Sequence, residues 1–162
     1  MPAPEEPFWP DKEKLPTTEA LKERGVRLLM LCGRPEREII YAEEGFSAEV
    51  ITGYTFDGWG LPVYHCRAGD QELQIELTVP KKIRGTVRLY VIDPDDFEGG
   101  RKQTVRIAGK SLGLVESFQE GQWLEQQITP DDSANGKIMI QARNARQGSN
   151  AVISIIEWIG RY

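Results

Sequence analysis

The sequence GTVRLYVID at residues 85–93 decides the fold class of this chain. Its odd-numbered residues from 87 to 91 are apolar, and this period of two places side chains on one face of a β-strand. The same alternation recurs within GRKQTVRI at residues 100–107, whereas the closing stretch 151–159 is apolar on both faces. A strand that is apolar on both faces is typical of the centre of a covered sheet. We therefore expect the last third of the chain to set a β-sheet fold.

The remaining predicted strands are short, and turn residues separate them. Residues 72–79 alternate between apolar and polar side chains, which predicts an antiparallel strand with one buried face. Residues 68–71 contain a glycine and predict a hairpin connection before that strand. The other predicted strands cover residues 26–32, 37–42, 48–52, 61–67, 112–118, 123–128 and 138–142. Strands at this spacing, without a second long helix, predict an all-β, antiparallel β-sandwich of the jelly-roll kind.

The N-terminal part differs in composition from the rest of the chain. Residues 1–16 hold five of the ten prolines, and proline disfavours both helices and central strands. We interpret these residues as an extended, proline-rich lead-in, followed by a single sandwich domain at residues 17–162. Thr17 or Thr18 can cap a short helix that ends near Gly25.

The composition argues against several classes of partner. The chain has 162 residues and a formal net charge of −5, whereas binding to nucleic acid or to an anionic membrane requires a basic surface. No window reaches the roughly 18 apolar residues of a membrane span. The first ten residues also lack the basic start and apolar run of a signal peptide. We therefore expect neither a nucleic-acid partner nor a membrane partner.

Cys32, Cys66 and His65 are the residues that thiol or metal chemistry would use. Two cysteines are too few for a disulfide framework, and free cysteines are commonly buried. We expect two buried thiols, and a single disulfide in a secreted protein is the alternative. The three side chains lack the paired spacing of zinc sites, which disfavours a metal site on them. His65 is expected to make a structural hydrogen bond.

Residues 93–100, with the sequence DPDDFEGG, form an acidic turn between two predicted strands. Aspartate and glycine supply local hydrogen bonds and positive φ angles, so a connecting turn is the simplest interpretation. Clustered carboxylates also suit a calcium ion, which takes several oxygen ligands. A pair of carboxylates across a sugar would suit a small hydrolase, which is the least favoured alternative.

The segment YTFDGWG at residues 54–60 places three aromatic rings close together between two predicted strands. A loop this aromatic either packs over an open end of the sandwich or presents a platform on which sugar rings stack. An apolar wall with a few polar groups is also typical of ligand pockets in general. The candidate ligand-binding residues are Tyr54, Phe56 and Trp59 for stacking and Asp57, Asp95, Asp96 and Arg101 for polar contacts.

Four segments carry a resemblance to a known family. They are GTVRLYV at 85–91, RKQTVRIAG at 101–109, FQEGQWL at 118–124 and NAVIS at 150–154. Together they resemble the core of galactose-binding-like jelly-roll domains, which include carbohydrate-binding modules and accessory sandwiches of bacterial glycoside hydrolases. The resemblance implies a sugar site at loops on one end of the sandwich and a structural calcium ion. It also places Arg101 in the framework, paired with Asp93 or Asp95, and makes Asn150 a tie between a loop and the final strand.

The leading functional hypothesis is a non-catalytic carbohydrate-binding or accessory module associated with glycan-degrading proteins. It implies a glycan or polysaccharide as ligand, a neighbouring catalytic domain as partner and an extracellular or periplasmic location. No cofactor is expected apart from structural Ca²⁺. The alternative hypothesis is a structural or protein-interaction sandwich without a sugar site, in which the proline-rich arm and apolar patches pack on a partner.

Overall fold

The computed structural model describes residues 16–56 and 65–160. Within these ranges one short α-helix and thirteen strands follow each other along the chain. The helix is α1 (Thr18–Glu23), and the Thr17 hydroxyl caps it by accepting a hydrogen bond from the Ala20 N–H at 3.1 Å. The strands are β1 (Val26–Leu31), β2 (Ile39–Ala42), β3 (Ser47–Thr52), β4 (Tyr54–Phe56), β5 (Cys66–Gly69), β6 (Glu72–Thr78), β7 (Gly85–Val91), β8 (Lys102–Ile107), β9 (Lys110–Glu116), β10 (Gln122–Ile128), β11 (Lys137–Asn144), β12 (Ala151–Ile153) and β13 (Ile155–Ile159).

The strands form three antiparallel sheets. The first sheet has the order β10-β7-β13-β1-β2, the second β3-β6-β11-β8-β9 and the third β12-β5-β4. All pairings between these strands are antiparallel. This architecture confirms the predicted all-β sandwich with a short N-terminal helix. No helix in the described part of the chain has the length and apolar character needed to cross a membrane.

The main hydrophobic core lies between the first and second sheets. Leu89 and Trp158 enter it from the first sheet, and Ile75 and Ile140 enter it from the second. Buried and half-buried residues alternate along the whole of β6, as the sequence predicted. Full burial of one such apolar side chain contributes about 1.5–3 kcal/mol. These alternating positions therefore fix which face of each sheet is inside.

The first sheet is buried on its other face as well. Leu21 of α1 belongs to a second apolar cluster there, together with Leu29, Leu31 and Ile155. All positions of β13 are consequently buried. The prediction that the closing strand is covered on both faces is confirmed.

The predicted strand at residues 151–159 is nevertheless interrupted at Ser154. The segment changes sheets there, because β12 belongs to the third sheet and β13 to the first. The Ser154 N–H donates to the Tyr90 carbonyl at 2.9 Å, and the Ser154 carbonyl accepts from the Cys32 N–H at 2.9 Å. The sequence pattern does not record this change of partner, because the side chains on both sides of it remain apolar.

The predicted hairpin at residues 68–71 is wrong. β5 pairs with β4 and β12 in the third sheet, whereas β6 pairs with β3 and β11 in the second. Asp70 and Gln71 therefore carry the chain from one sheet to another. Gly69 permits the sharp crossing, because a Cβ atom at this position would lie 2.2 Å from the Glu72 carbonyl oxygen.

The start of the predicted aromatic loop is an edge strand. Tyr54 pairs with Ala68, and Phe56 pairs with Cys66. This pairing gives the backbone of residues 54–56 partners that the aromatic pattern alone did not predict. Asp57 and Trp59 lie outside the described residues, as does the first part of the predicted strand 61–67.

Cys32 and Cys66 are both free and buried, as predicted. Burial raises the pKa of the Cys66 thiol to about 12 and raises that of Cys32 well above its usual value. Gly33, which follows Cys32, closely approaches the Cys66 backbone, because a Cβ atom at Gly33 would lie 2.2 Å from the Cys66 carbonyl oxygen. Within residues 16–56 and 65–160, no group of three His, Cys, Asp or Glu side chains could hold a metal ion. The alternative of a metal site on Cys32, Cys66 and His65 is therefore not supported.

Candidate functional site

Arg101 is the centre of a buried polar cluster immediately before β8. Its Nη1 donates to Asp93 Oδ1 and, at 2.7 Å, to Asp95 Oδ1. Its backbone N–H donates to Asp93 Oδ2 at 2.8 Å, and its guanidinium carbon lies 4.8 Å from the centre of the Phe97 ring. Asp93 is fully buried and Arg101 is 9% exposed. The predicted pairing of Arg101 with the acidic turn is confirmed, with both aspartates rather than one.

The backbone of residues 93–100 is shaped to present these carboxylates to Arg101. Asp93 Oδ1 also accepts a hydrogen bond from the Phe97 N–H at 3.2 Å. Asp96 and Glu98 have φ angles of 48° and 53°, and Gly99 has a φ angle of 82°. Aspartate and glycine tolerate this left-handed geometry better than most residues do. The interpretation of this segment as a connecting turn is confirmed.

The acidic turn does not fit the structural calcium ion that the resemblance implies. Ca²⁺ requires several oxygen ligands. Both carboxylate oxygens of Asp93 and Oδ1 of Asp95 are already occupied by donors of Arg101. The guanidinium group supplies the positive charge that a bound cation would otherwise supply at this turn.

Asn150 connects the Arg101 cluster to the aromatic strand β4. Its Oδ1 accepts from Arg101 Nε at 2.7 Å, and its Nδ2 donates to the Tyr54 hydroxyl oxygen at 3.0 Å. The Tyr54 hydroxyl donates to Asp70 Oδ1 at 2.8 Å. Partial burial and the neighbouring Asp70 carboxylate raise the pKa of Tyr54, which keeps its hydroxyl protonated. We call Arg101, Asn150, Tyr54 and Asp70 the Tyr54 network.

A polar groove of about 610 Å³ adjoins the Tyr54 network at Asp70. It lies between the crossing from β5 to β6 and the loop from β11 to β12. Small-molecule pockets commonly span roughly 300–1,000 Å³. The described residues that line this groove, which we call the 144–149 groove, are Asp70, Gln71, Asn144, Ala145, Arg146, Gln147, Gly148 and Ser149.

Asn144 holds the two sides of the 144–149 groove together. Its Nδ2 lies 3.2 Å from the Asp70 carbonyl oxygen, 2.8 Å from that of Arg146 and 3.1 Å from that of Ser149. Its Oδ1 accepts from the Arg146 N–H at 3.1 Å. Because one side chain fixes both loops, the groove is formed before a ligand arrives. A pre-formed site reduces the ordering cost of binding.

Several polar side chains of the 144–149 groove remain available to a ligand. The Ser149 hydroxyl has no hydrogen-bond partner, although the residue is only 6% exposed. The hydroxyl oxygen is itself buried, so the exposed side chains of Gln71 and Gln147, rather than this hydroxyl, are open to a ligand. The Arg146 guanidinium lies against Gly99, where a Cβ atom would be 2.9 Å from Nη2. Gln71 and Gln147 add amide groups at the same groove.

The structure brings together some of the predicted site residues and separates others. Tyr54, Asp95 and Arg101 belong to one connected set of hydrogen bonds. Phe56 is 37% exposed on the same strand as Tyr54. Asp96 instead accepts a hydrogen bond from Gln119 Nε2 at 2.7 Å. Asp57 and Trp59 lie outside the described residues.

Sequence reasoning missed the residues that shape the 144–149 groove, above all Asp70, Asn144 and Ser149. The sequence signal for Asn144 and Ser149 is the polar run RNARQGSN at residues 143–150, which does not include Asp70. Such a run between two strands marks a loop. Its contact with Asp70 joins positions 74 residues apart, which a local pattern does not reveal.

Comparison with known proteins gives structural neighbours only. No protein-family model and no curated protein matches the sequence. The ANX1 ectodomain from Arabidopsis thaliana has a TM-score of 0.59 and 18% identity, over 82% of this chain and 41% of that chain. A β-glucuronidase from Bacteroides uniformis has a TM-score of 0.59 and 12% identity, over 83% of this chain and 18% of that chain. A calcium-binding mutant of Bacteroides uniformis β-glucuronidase 2 has a TM-score of 0.60 and 13% identity, over 86% of this chain and 18% of that chain.

These similarities concern the fold. The chain spans less than half the length of the ANX1 ectodomain and about a fifth of that of the β-glucuronidases. Both kinds of neighbour therefore contain, within a longer chain, a region that superimposes on this sandwich. The chain shares the antiparallel β-sandwich fold of these regions, in agreement with the fold class that the sequence predicted.

Proposed function

We propose that this chain is a non-catalytic carbohydrate-binding module that accompanies a glycan-degrading protein. The observation that carries the proposal is the 144–149 groove, which is pre-formed and polar and adjoins an exposed tyrosine ring. Tyr54 is 45% exposed, and its hydroxyl is fixed between Asn150 and Asp70. A ring held in this way offers a stacking face without losing further side-chain entropy on binding.

The chemistry of the groove suits saccharide hydroxyl groups. A hydroxyl both donates and accepts hydrogen bonds. The lining combines the amides of Gln71 and Gln147 with the guanidinium of Arg146. Tyr54 adds an aromatic face of the kind that packs against apolar surface while its hydroxyl stays hydrogen-bonded. This mixture favours a neutral or weakly charged polyol over an apolar ligand.

The carboxylates near the groove support binding rather than hydrolysis. Glycoside hydrolysis uses two carboxyl groups that flank the scissile bond. Asp70 accepts a hydrogen bond from the Tyr54 hydroxyl, and Asp93 and Asp95 accept hydrogen bonds from Arg101. Each of these carboxylates is therefore engaged by the framework. Asp70, Asp93 and Asp95 therefore do not provide the pair of free carboxylates that the least favoured alternative, a small hydrolase, would need.

The proposed function implies a partner and a location for this chain. A module of this kind brings a catalytic domain to its polysaccharide, so we expect a neighbouring catalytic domain as partner. The Bacteroides uniformis β-glucuronidases contain a similar sandwich as a minor part of a longer chain. An extracellular or periplasmic location fits such a role, because polysaccharide substrates are found there.

A protein-interaction sandwich is the second candidate function. Ile51 on β3 is 46% exposed, and Leu114 on β9 is 50% exposed. β3 and β9 are the two edge strands of the second sheet. Exposed apolar side chains on edge strands are suited to pairing with another chain. The ANX1 ectodomain, which is a receptor region, shares this fold.

Glycan-array screening followed by calorimetric titration tests the leading proposal. We expect saturable binding to at least one glycan, which Tyr54→Ala weakens by about tenfold or more, as loss of roughly 1.4 kcal/mol implies. Trp59→Ala tests the remaining aromatic candidate. Tyr41→Phe is a matched control, because the Tyr41 hydroxyl bonds Glu43 on a different sheet. Binding to no glycan, together with concentration-dependent self-association in light scattering, would favour the interaction sandwich instead.

A further inference from the structure

A second pocket lies on the face of the first sheet that points away from the main core. Thr86 and Arg88 alternate along β7 with the core residues Val87 and Leu89. The pocket has a volume of about 320 Å³ and shares no described residue with the 144–149 groove. Its described lining residues are Arg84, Gly85, Thr86, Arg88, Glu125, Gln127 and Ile159. We call it the Arg88 pocket.

Arg88 is buried in this pocket, and the Nε–Nη2 edge of its guanidinium group makes no hydrogen bond, although it forms an ion pair with Glu125. Arg88 is 2% exposed, its Nη1 donates to Glu157 Oε1 at 3.1 Å, and its guanidinium carbon lies 4.2 Å from the Trp123 ring centre. Nη2 has no hydrogen-bond partner. Nε lies 3.0 Å from Glu125 Oε1, but without hydrogen-bond geometry. The Nε–Nη2 edge is the edge that binds a carboxylate through two parallel hydrogen bonds.

The neighbouring charges leave the Arg88 pocket with an excess of positive charge. Glu157 is fully buried and forms ion pairs with both Arg24 and Arg88. Arg84 is exposed at the pocket, and Glu125, which is about half exposed, is the other acidic residue there. The positive charges of Arg24, Arg84 and Arg88 therefore exceed the negative charges of Glu125 and Glu157 by one. The difference of one charge matches a monoanion better than a dianion such as phosphate.

We propose that the Arg88 pocket binds a small monocarboxylate, whose carboxylate takes the Nε–Nη2 edge of Arg88 in place of Glu125. The volume of about 320 Å³ is sufficient for a small monocarboxylate beside the guanidinium group. The amide of Gln127 and the hydroxyl of Thr86 are polar groups beside the guanidinium. A hydroxy acid would use both the guanidinium edge, through its carboxylate, and these polar groups, through its hydroxyl.

Titration with lactate, followed by ¹⁵N NMR, tests this proposal with a defined probe. Lactamide is the matched neutral control, because it has the same shape without the negative charge. We expect saturable shifts of the Arg88 Nε–H and Trp123 Nε1–H resonances with lactate, at a dissociation constant of about 1 mM, and none with lactamide. Variants Trp123→Phe and Arg88→Lys assign these resonances. Ionic strength is held constant with chloride throughout.

Three substitutions separate specific binding from a general charge effect. Glu125→Gln removes the competing carboxylate and is expected to tighten lactate binding several-fold, a gain that a misfolded variant would not show. Arg84→Gln is expected to weaken binding about fivefold or more. Arg106→Gln changes the charge equally on exposed β8, where Arg106 bonds the Gly109 carbonyl, and should leave the affinity unchanged.

Several results would overturn the proposal. The proposal is contradicted if the Arg88 and Trp123 resonances do not shift with lactate, or if they shift equally with lactamide. Weaker binding by Glu125→Gln would also contradict it, because the carboxylate would then not compete for Arg88. Arg88→Lys retains a charge for Glu157 but lacks the planar fork, so unchanged lactate affinity in a folded Arg88→Lys variant would exclude this edge as the site.

Discussion

Asn150 donates a hydrogen bond to the hydroxyl of Tyr54 at 3.0 Å, although 96 positions separate the two residues. The same amide accepts a hydrogen bond from Arg101 at 2.7 Å. One side chain therefore joins the buried acidic turn to the exposed aromatic strand. A change at Arg101 or Asn150 is therefore expected to alter how firmly Tyr54 is held beside the candidate ligand site.

The first prediction concerns Asn150→Ala. The substitution leaves Arg101 Nε without its acceptor and removes one of the two hydrogen bonds of the Tyr54 hydroxyl, which keeps its bond to Asp70. We expect a loss of about 1–3 kcal/mol in the free energy of unfolding, measured in urea, because a charged donor loses its partner. Any glycan that binds the 144–149 groove should also bind less tightly, because the Tyr54 hydroxyl is then held by Asp70 alone.

Asn135→Ala is the matched control for this substitution. The Asn135 side chain accepts a hydrogen bond from the Lys137 N–H in an exposed turn. Its removal should cost less than about 1 kcal/mol, as is usual for exposed positions, and should not change glycan affinity. Equal stability of Asn150→Ala and wild type would mean that the connection through Asn150 contributes nothing.

The second prediction concerns calcium at the acidic turn. The Arg101 guanidinium already occupies oxygens of Asp93 and Asp95. We therefore expect the melting temperature of the wild-type protein to be the same in calcium chloride and in a calcium chelator. Arg101→Met, in contrast, should lose about 3–5 kcal/mol of stability, because it leaves buried carboxylates without their counter-ion. A rise in the wild-type melting temperature that saturates with Ca²⁺ but not with Mg²⁺ would contradict this prediction.

The third prediction concerns the pH dependence of stability at Glu38. Its Oε1 lies 2.6 Å from Arg67 Nη2, and its Oε2 accepts from Arg67 Nε at 2.8 Å and from the Gly33 N–H at 2.7 Å. Partial burial alone would raise the pKa of Glu38, but these hydrogen bonds outweigh it and hold the pKa below the usual value of 4.5. The stabilisation is therefore complete above the unfolded-state pKa and is lost as the pH falls through the folded-state pKa.

Urea unfolding of wild type and Glu38→Gln at a series of pH values measures this effect. The wild type should be more stable than the variant near neutral pH, and the difference should shrink in the acid range below 4.5. The Glu36→Gln variant is the control, because its carboxylate is 83% exposed and lies 3.6 Å from Arg34. A difference between wild type and Glu38→Gln that stays constant as the solution is acidified would refute the assignment.

The fourth prediction concerns the thiols. Burial raises the pKa of Cys66 to about 12 and raises that of Cys32 well above its usual range. Since the thiolate is the reactive form, neither cysteine should react with Ellman's reagent at pH values near 8 in the folded protein. Both should react at once in denaturant. Rapid labelling of the folded protein, or a native disulfide detected by mass spectrometry, would contradict the prediction.

The sequence predicted the features of the fold that depend on local periodicity. The alternation of β6 and the double burial of the closing segment are visible in single stretches, because burial acts on each side chain separately. The break at Ser154 and the crossing at Asp70 are not visible, because both depend on which distant strand the backbone pairs with. Strand pairing is a tertiary property that short patterns do not encode.

The same distinction applies to the candidate site. The pairing of Arg101 with the acidic turn was predictable, because the partners lie within eight positions of each other. The 144–149 groove was not, because it forms where Asn144 meets the Asp70 crossing from another part of the chain. Tyr54 was identified as an aromatic candidate from sequence, but its fixation between Asn150 and Asp70 required the three-dimensional structure.

Mapping of a bound glycan by ¹⁵N NMR tests the central claim most directly. The glycan that binds best in an array is titrated into the labelled protein, and backbone shifts are assigned along the chain. We expect the largest shifts at Asp70, Gln71, Gln147 and Ser149, with a smaller set near Tyr54, and we expect Tyr54→Ala to require about tenfold more glycan for the same shifts. Shifts confined to other loops, or the absence of any shift with every glycan tested, would contradict a carbohydrate site in the 144–149 groove.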